Sequence, residues 1–148
     1  MIARFHAQLS ERSVYLRYFH MIDLDRRVSH DRLIRSCFND YDRDIALVAE
    51  HRTGAGEREI LAVGRLRKAD ATDAELAVLI TDEYQGRGLG TELSRRLVEI
   101  ARAEKIERVI AEILPENIHM QRVCRELGFH MEQLPDNGGV HAVFEIAP

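Results

Sequence analysis

Six residues, QGRGLG at positions 85–90, stand between an apolar run, ELAVLITDEY, and an amphipathic stretch, TELSRRLVEIARAEK. Three glycines in five residues at a strand-to-helix junction bend the backbone sharply, because glycine enters positive φ without a steric penalty. A strand that leaves through such a helix pairs in parallel with the strand the helix leads to, by a right-handed crossover. The next β-prone segment, Val109 to Leu114, is the expected parallel neighbour, and QGRGLG lies at the mouth of the crossover.

The flanking periodicities extend this unit. Ile45 to Glu50, Ile60 to Leu66 and Glu75 to Thr81 are short, apolar and β-prone, with turn signals at Gly54 and Gly56, and predict a meander. After Thr91, the residues Leu93, Leu97, Ile100 and Ala101 share a helical face, while Arg95, Arg96, Glu99 and Arg102 lie mostly elsewhere. Asn117 opens another helix, with Met120, Val123, Cys124 and Leu127 inward and Gly128 placed as its terminator. Phe129 to Leu134 and Val140 to Ile146 flank PDNGG as a last hairpin. The first forty residues read as helices. Ile2, Phe5 and Leu9 recur at helical spacing. Ser10 caps a helix carrying Val14, Tyr15, Tyr18, Phe19 and Ile22, and Ser29 caps one carrying Leu33, Ile34, Cys37 and Phe38. The expected fold is α/β: one domain with a mixed sheet flanked by helices and an N-terminal helical layer, a size that 148 residues allow.

Charge and cysteine usage exclude several functions. With 21 basic and 25 acidic side chains the formal charge is -4, which gives no global attraction to nucleic acid or an anionic membrane. Cys37 and Cys124 are not in a CxxC spacing, and the N-terminus has no charged segment followed by an apolar one, so a cytoplasmic location is expected. The seven histidines show no HxxxH or HExxH spacing on a predicted helix, and no metal site is expected.

The glycine loop must then hold a small anion. A phosphate-binding Walker loop requires a lysine after its last glycine, and none follows Gly90. The dinucleotide fingerprint GxGxxG fits Gly86 and Gly88, but its third glycine would stand at 91, which is Thr91. What remains is a concave nest of successive N–H groups at the positive end of a helix, suited to a pyrophosphate.

Gln85-x-x-Gly88-x-Gly90 on a strand–loop–helix resembles the Q/R-x-x-G-x-G/A signature of the GCN5-related N-acetyltransferases. The Asn117-led helix ending in Gly128-Phe129 matches the second half of that family's pattern. The resemblance covers roughly residues 42 to 146. The N-terminal RFHAQLSERSVYLRYF is similar to the acetyltransferase domain of bacterial protein lysine acetyltransferases related to acyl-CoA synthetases, although family members usually begin with a β-strand, which is expected to be missing or replaced in this sequence, whose first residues read as helix.

The resemblance implies acetyl-CoA as donor, with its pyrophosphate on the amides of Gln85, Gly86, Arg87, Gly88, Leu89, Gly90 and Thr91. Backbone amides of Val78, Leu79 and Ile80 would meet the pantetheine arm as an added strand would, and one N–H would polarise the thioester carbonyl. Arg87 either reaches a CoA phosphate or is a solvated loop residue. Asn117 caps its helix, binds the cofactor arm, or does both. Glu75 resembles the strand glutamate that acts as base, often through water. Glu112, a lone acid in VIAEIL, is the alternative. The tyrosine that many members use to protonate the leaving thiolate is replaced by Cys124, so either the Cys124 thiol or water supplies that proton, unless Cys124 is simply core. The implied acceptor is a lysine amine of a protein, with a small amine such as a polyamine, amino acid or aminoglycoside as the alternative, and a non-catalytic CoA sensor as the third reading. Tyr15, Tyr18, Phe19 or Tyr41 would border the acceptor cleft.

Overall fold

A computed structural model describes residues 2–9 and 44–146. The elements are α1 (Ile2–Ala7), β1 (Asp44–Arg52), β2 (Arg58–Lys68), β3 (Asp73–Ile80), α2 (Leu89–Ala103), β4 (Arg108–Ile113), α3 (Ile118–Leu127), β5 (His130–Gln133) and β6 (Val140–Glu145). Each strand and helix expected within these residues is present, with ends shifted by a few residues. The helices expected around Tyr15 to Ile22 and Leu33 to Phe38, and Tyr41 with them, lie outside the described residues. No helix among the described residues is long and apolar enough to cross a membrane.

The six strands form one sheet in the order β1-β2-β3-β4-β6-β5. Only β3 and β4, the strands joined through α2, are parallel; every other neighbour pair is antiparallel. The alternation of side chains along β3 decides what covers each face. Ala74 and Leu76 point into the main core with Leu97, Val98 and Ala101 of α2, Val109, Ala111 and Ile113 of β4, and Cys124 of α3. Leu79 points the other way, into a small cluster with Phe5, Leu9 and Ile60, where α1 packs. A fully buried side chain such as Leu97 contributes about 2 kcal/mol through burial alone.

Pairing between β3 and β4 is short. The register runs Asp73 to Arg108, Ala74 to Val109 and Glu75 to Ile110, and then stops. On its other edge β3 stays paired with β2 from Ala74 to Ile80. The strands are clamped at the closed end by Asp73, a buried carboxylate that accepts from Arg108 Nε at 2.8 Å and Nη2 at 3.0 Å, and from Thr72 Oγ1 at 3.0 Å. That carboxylate raises the Arg108 pKa above its ordinary value, chiefly through the hydrogen bond. The backbone N–H groups of Glu107 and Arg108 also donate to Thr72 O, at 2.8 and 3.1 Å. Tied at this end and unpaired beyond Glu75, the two strands form a wedge that opens toward the glycine loop.

Candidate active site

The loop at the open end of the wedge has the backbone that its glycines permit. Gly86 and Gly88 have φ of 75° and 89°, and a Cβ added at either would meet nothing within 4 Å. The loop is therefore bent by conformation, not by crowding, and the space where side chains would begin at Gly86 and Gly88 is open. Gly90 serves differently: a Cβ there would lie 3.2 Å from Ile80 Cδ1, so its lack of a side chain lets α2 pack close to β3. Gly88 caps α2 with no side-chain hydrogen bond, and the first intrahelical bond runs from Glu92 N–H to Gly88 O at 3.0 Å. The amides of Leu89, Gly90 and Thr91 thus have no partner within the helix, and they carry its positive dipole end.

Gln85 turns back onto the strand, its Nε2 donating to Ile80 O at 3.0 Å. That bond identifies the free edge of β3. Thr81 N–H donates to Leu61 O at 2.9 Å, so Thr81 faces β2, and strand alternation turns Ile80 and Val78 the other way, toward the gap left by β4. Of the three amides expected along this edge, Val78 and Ile80 face the gap, and Leu79 pairs with β2 opposite Val63. Unpaired strand N–H groups offer hydrogen bonds to an extended ligand.

Glu75 is the last β3 residue paired with β4, at the vertex of the wedge. Its side chain is exposed and makes no hydrogen bond or ion pair with another described residue. From Glu75 to Ile80 the strand rises about 17 Å at ~3.3 Å per residue. Glu112 lies on the same sheet face, two residues beyond the last pairing on β4. It is engaged: His141 Nδ1 of β6 is 2.6 Å from Glu112 Oε1. Sequence periodicity had no means of bringing these two together, because their contact depends on β6 inserting beside β4.

The wall opposite the loop is formed by the turn after β4 and by α3. Asn117 caps α3, its Oδ1 accepting from Met120 N–H at 3.1 Å, which leaves the side-chain amide nitrogen for another partner. Gln121, buried and unmarked by any motif, braces the preceding turn by donating to Leu114 O and Pro115 O at 3.3 and 3.0 Å. Cys124 has no exposed surface and belongs to the main core, and burial pushes its thiol up to about 12. Arg87 stacks over the Tyr84 ring, 4.9 Å from its centroid, and Tyr84 tilts against His51 at 5.8 Å.

A parallel strand pair that opens into a wedge, with an amide nest at its mouth and a carboxylate at its vertex, matches a known arrangement. The chain matches the Acetyltransferase (GNAT) domain family over residues 2–130. It belongs to that family. Among curated relatives, Acetyltransferase PA5475 of Pseudomonas aeruginosa is 34% identical over 102 residues, 66% of this chain and 53% of the relative. Acetyltransferase Pat of Mycolicibacterium smegmatis is 37% identical over 59 residues, 40% of this chain and 18% of the relative. The GNAT domain of S. lividans PAT superposes with a TM-score of 0.82 at 29% identity, covering 97% of this chain and 82% of that one. The PaiA N-acetyltransferase of Thermoplasma acidophilum, solved in complex with coenzyme A, shares the fold at a TM-score of 0.71 and 14% identity, covering 99% and 96%. The chain is accordingly a GNAT acetyltransferase domain, a family whose donor is acetyl-CoA, and it spans about half the length of the first of these curated relatives and less of the second. Its open nest and the free edge of β3 fit that donor.

Proposed function

We propose that this acetyltransferase modifies a lysine side-chain amine of a protein, with Glu75 as the base. The observation that carries the chemical part is the position of Glu75: an exposed carboxylate with no partner among the described residues, at the vertex, one strand-length from the nest. A lysine with a pKa near 10.4 costs about 4.6 kcal/mol to deprotonate at pH 7, at ~1.36 kcal/mol per unit. Glu75 takes that proton, directly or through a water, as the amine nitrogen attacks the thioester carbon. The N–H groups of Val78 and Ile80 are the donors available to the developing oxyanion. The C–S bond breaks, and the thiolate leaves as a group of pKa about 8.5 that solvent can protonate. We assign Cys124 to packing and Glu112 to its bond with His141. The nest from Gln85 to Thr91 holds the pyrophosphate, and Asn117 meets the arm with its free amide.

Two likenesses support a protein acceptor: the fit to the PAT domain over nearly the whole chain, and the resemblance of the N-terminal sequence to bacterial protein lysine acetyltransferases. An acyl-CoA synthetase is the first acceptor to try. The test incubates the protein with acetyl-CoA and a cell extract, then identifies acetylated lysines by mass spectrometry while free CoA thiol is measured. Enzyme-dependent lysine acetylation is expected. Thiol release with polyamines or amino acids but with no modified protein would transfer the assignment to a small-amine acceptor. Binding of acetyl-CoA with no acetylation of any amine would make the chain a CoA sensor.

A further inference from the structure

We propose that His119 is a donor-binding residue, whose Nε2 hydrogen-bonds the pyrophosphate seated at the N-terminus of α2. The topology brings it there. The N-terminal ends of α2 and α3 both stand at the open end of the wedge, one on each wall, since each helix follows one of the two diverging strands. His119 lies in the first turn of α3 and reaches across: its Nε2 is 3.8 Å from the point where a Cβ on Gly90 would begin. Gly90 is the second residue of α2, inside the amide nest, so the ring edge borders the place an anion would occupy. The imidazole is exposed and makes no hydrogen bond or ion pair with another described residue.

Charge gives the second part of the argument. A pyrophosphate diester is doubly negative, and the helix end supplies roughly half an elementary charge. The loop's own cation, Arg87, lies over the Tyr84 ring. Asp82 and Glu83 precede the loop and add negative charge. Arg95 and Arg96 are taken by Glu92, at 2.7 and 2.8 Å. His119 is a donor beside the nest with no hydrogen bond to another described residue, and an imidazole N–H on a phosphate oxygen is a charge-assisted bond.

The test separates binding to the pyrophosphate from packing against Gly90. Wild type, His119→Ala and His119→Gln are titrated calorimetrically with coenzyme A. The same three proteins are assayed with acetyl-CoA and with S-acetylpantetheine, which has no pyrophosphate. His119→Ala should weaken coenzyme A binding about tenfold, the loss of one hydrogen bond to a charged group. It should lower kcat/KM for acetyl-CoA by a similar factor and leave kcat/KM for S-acetylpantetheine unchanged. Gln, which retains an N–H donor, should recover part of the loss. Equal losses with both donors would show that the ring only packs, and unchanged affinity for coenzyme A would equally overturn the proposal. The outcome does not depend on which amine is the acceptor.

Discussion

The wall formed by β3, the glycine loop and α2 presents backbone to the wedge, whereas the facing wall of β4, α3 and β6 presents side chains. On the first wall the groups presented are the N–H of Val78 and Ile80, the carbonyl of Ile80 tied to Gln85, and the amides after Gly88. On the second they are Asn117, His119 and the Glu112–His141 pair. A backbone wall tolerates changes of side chain but not of conformation. A side-chain wall can be changed one residue at a time without disturbing the fold.

The harshest way to break the first wall is therefore a change of conformation. Gly88 has a φ of 89°, which a β-branched residue adopts only under strain. Gly88→Val should lower acetyl-CoA affinity at least about a hundredfold, since strain of a few kcal/mol falls on the binding conformation itself. The strain is carried by the folded loop even though nothing crowds the position, so Tm should fall as well; isothermal titration below the melting range together with thermal melting checks both halves. The next largest effect belongs to the vertex. Glu75→Gln should reduce kcat about a hundredfold near neutral pH and leave the Kd for acetyl-CoA unchanged, with the rate partly restored as pH rises and the acceptor amine deprotonates unaided. Glu112→Gln, assayed beside it, should have the smaller effect; the reverse ranking would move the base to the second wall.

This difference in material explains what could be read from the sequence. Glycine spacing reports backbone conformation directly, so QGRGLG marked the positive-φ loop that starts α2, and the length of AELAVLIT marked the strand that leads into it. The parallel pairing of β3 with β4 followed from the helix between them. The point at which that pairing ends did not, because it depends on how the clamp at Asp73 and Arg108 balances packing along the rest of the wedge. The second wall was less legible. Helical spacing put Cys124 on the inward face of α3, yet a residue facing a core and one facing a cleft have the same periodicity. His119 and His141 were missed because the contact of each runs to another element, with no spacing to mark it.

A third experiment tests whether the two walls are held together from the closed end. Asp73→Ala removes the acceptor of three hydrogen bonds at a buried position and should cost about 2 kcal/mol of stability, read from denaturant midpoints. If the clamp also sets the wedge angle, the KM for acetyl-CoA should rise under conditions where the variant remains folded.

The smallest effect on activity is expected at Cys124, and its pH dependence decides its role. Burial raises the thiol from 9.0 to about 12 in the folded chain, so the folded form keeps its proton where the unfolded form loses it. Well below pH 9 both forms keep the proton and the residue adds no pH dependence. Between about pH 9 and about 12 the unfolded chain alone releases the proton, and stability must fall as pH rises through that window. Cys124→Ala should remove this component of the alkaline slope at a cost of about 1 kcal/mol for the lost packing, and should leave kcat at neutral pH close to that of the wild type. Comparing the two proteins in urea at pH 7 and pH 10 isolates the contribution, because they differ at this residue alone. A variant with the same alkaline slope but a kcat lowered tenfold or more at pH 7 would instead place the thiol in the cleft, as the proton donor for which the second wall otherwise supplies only water.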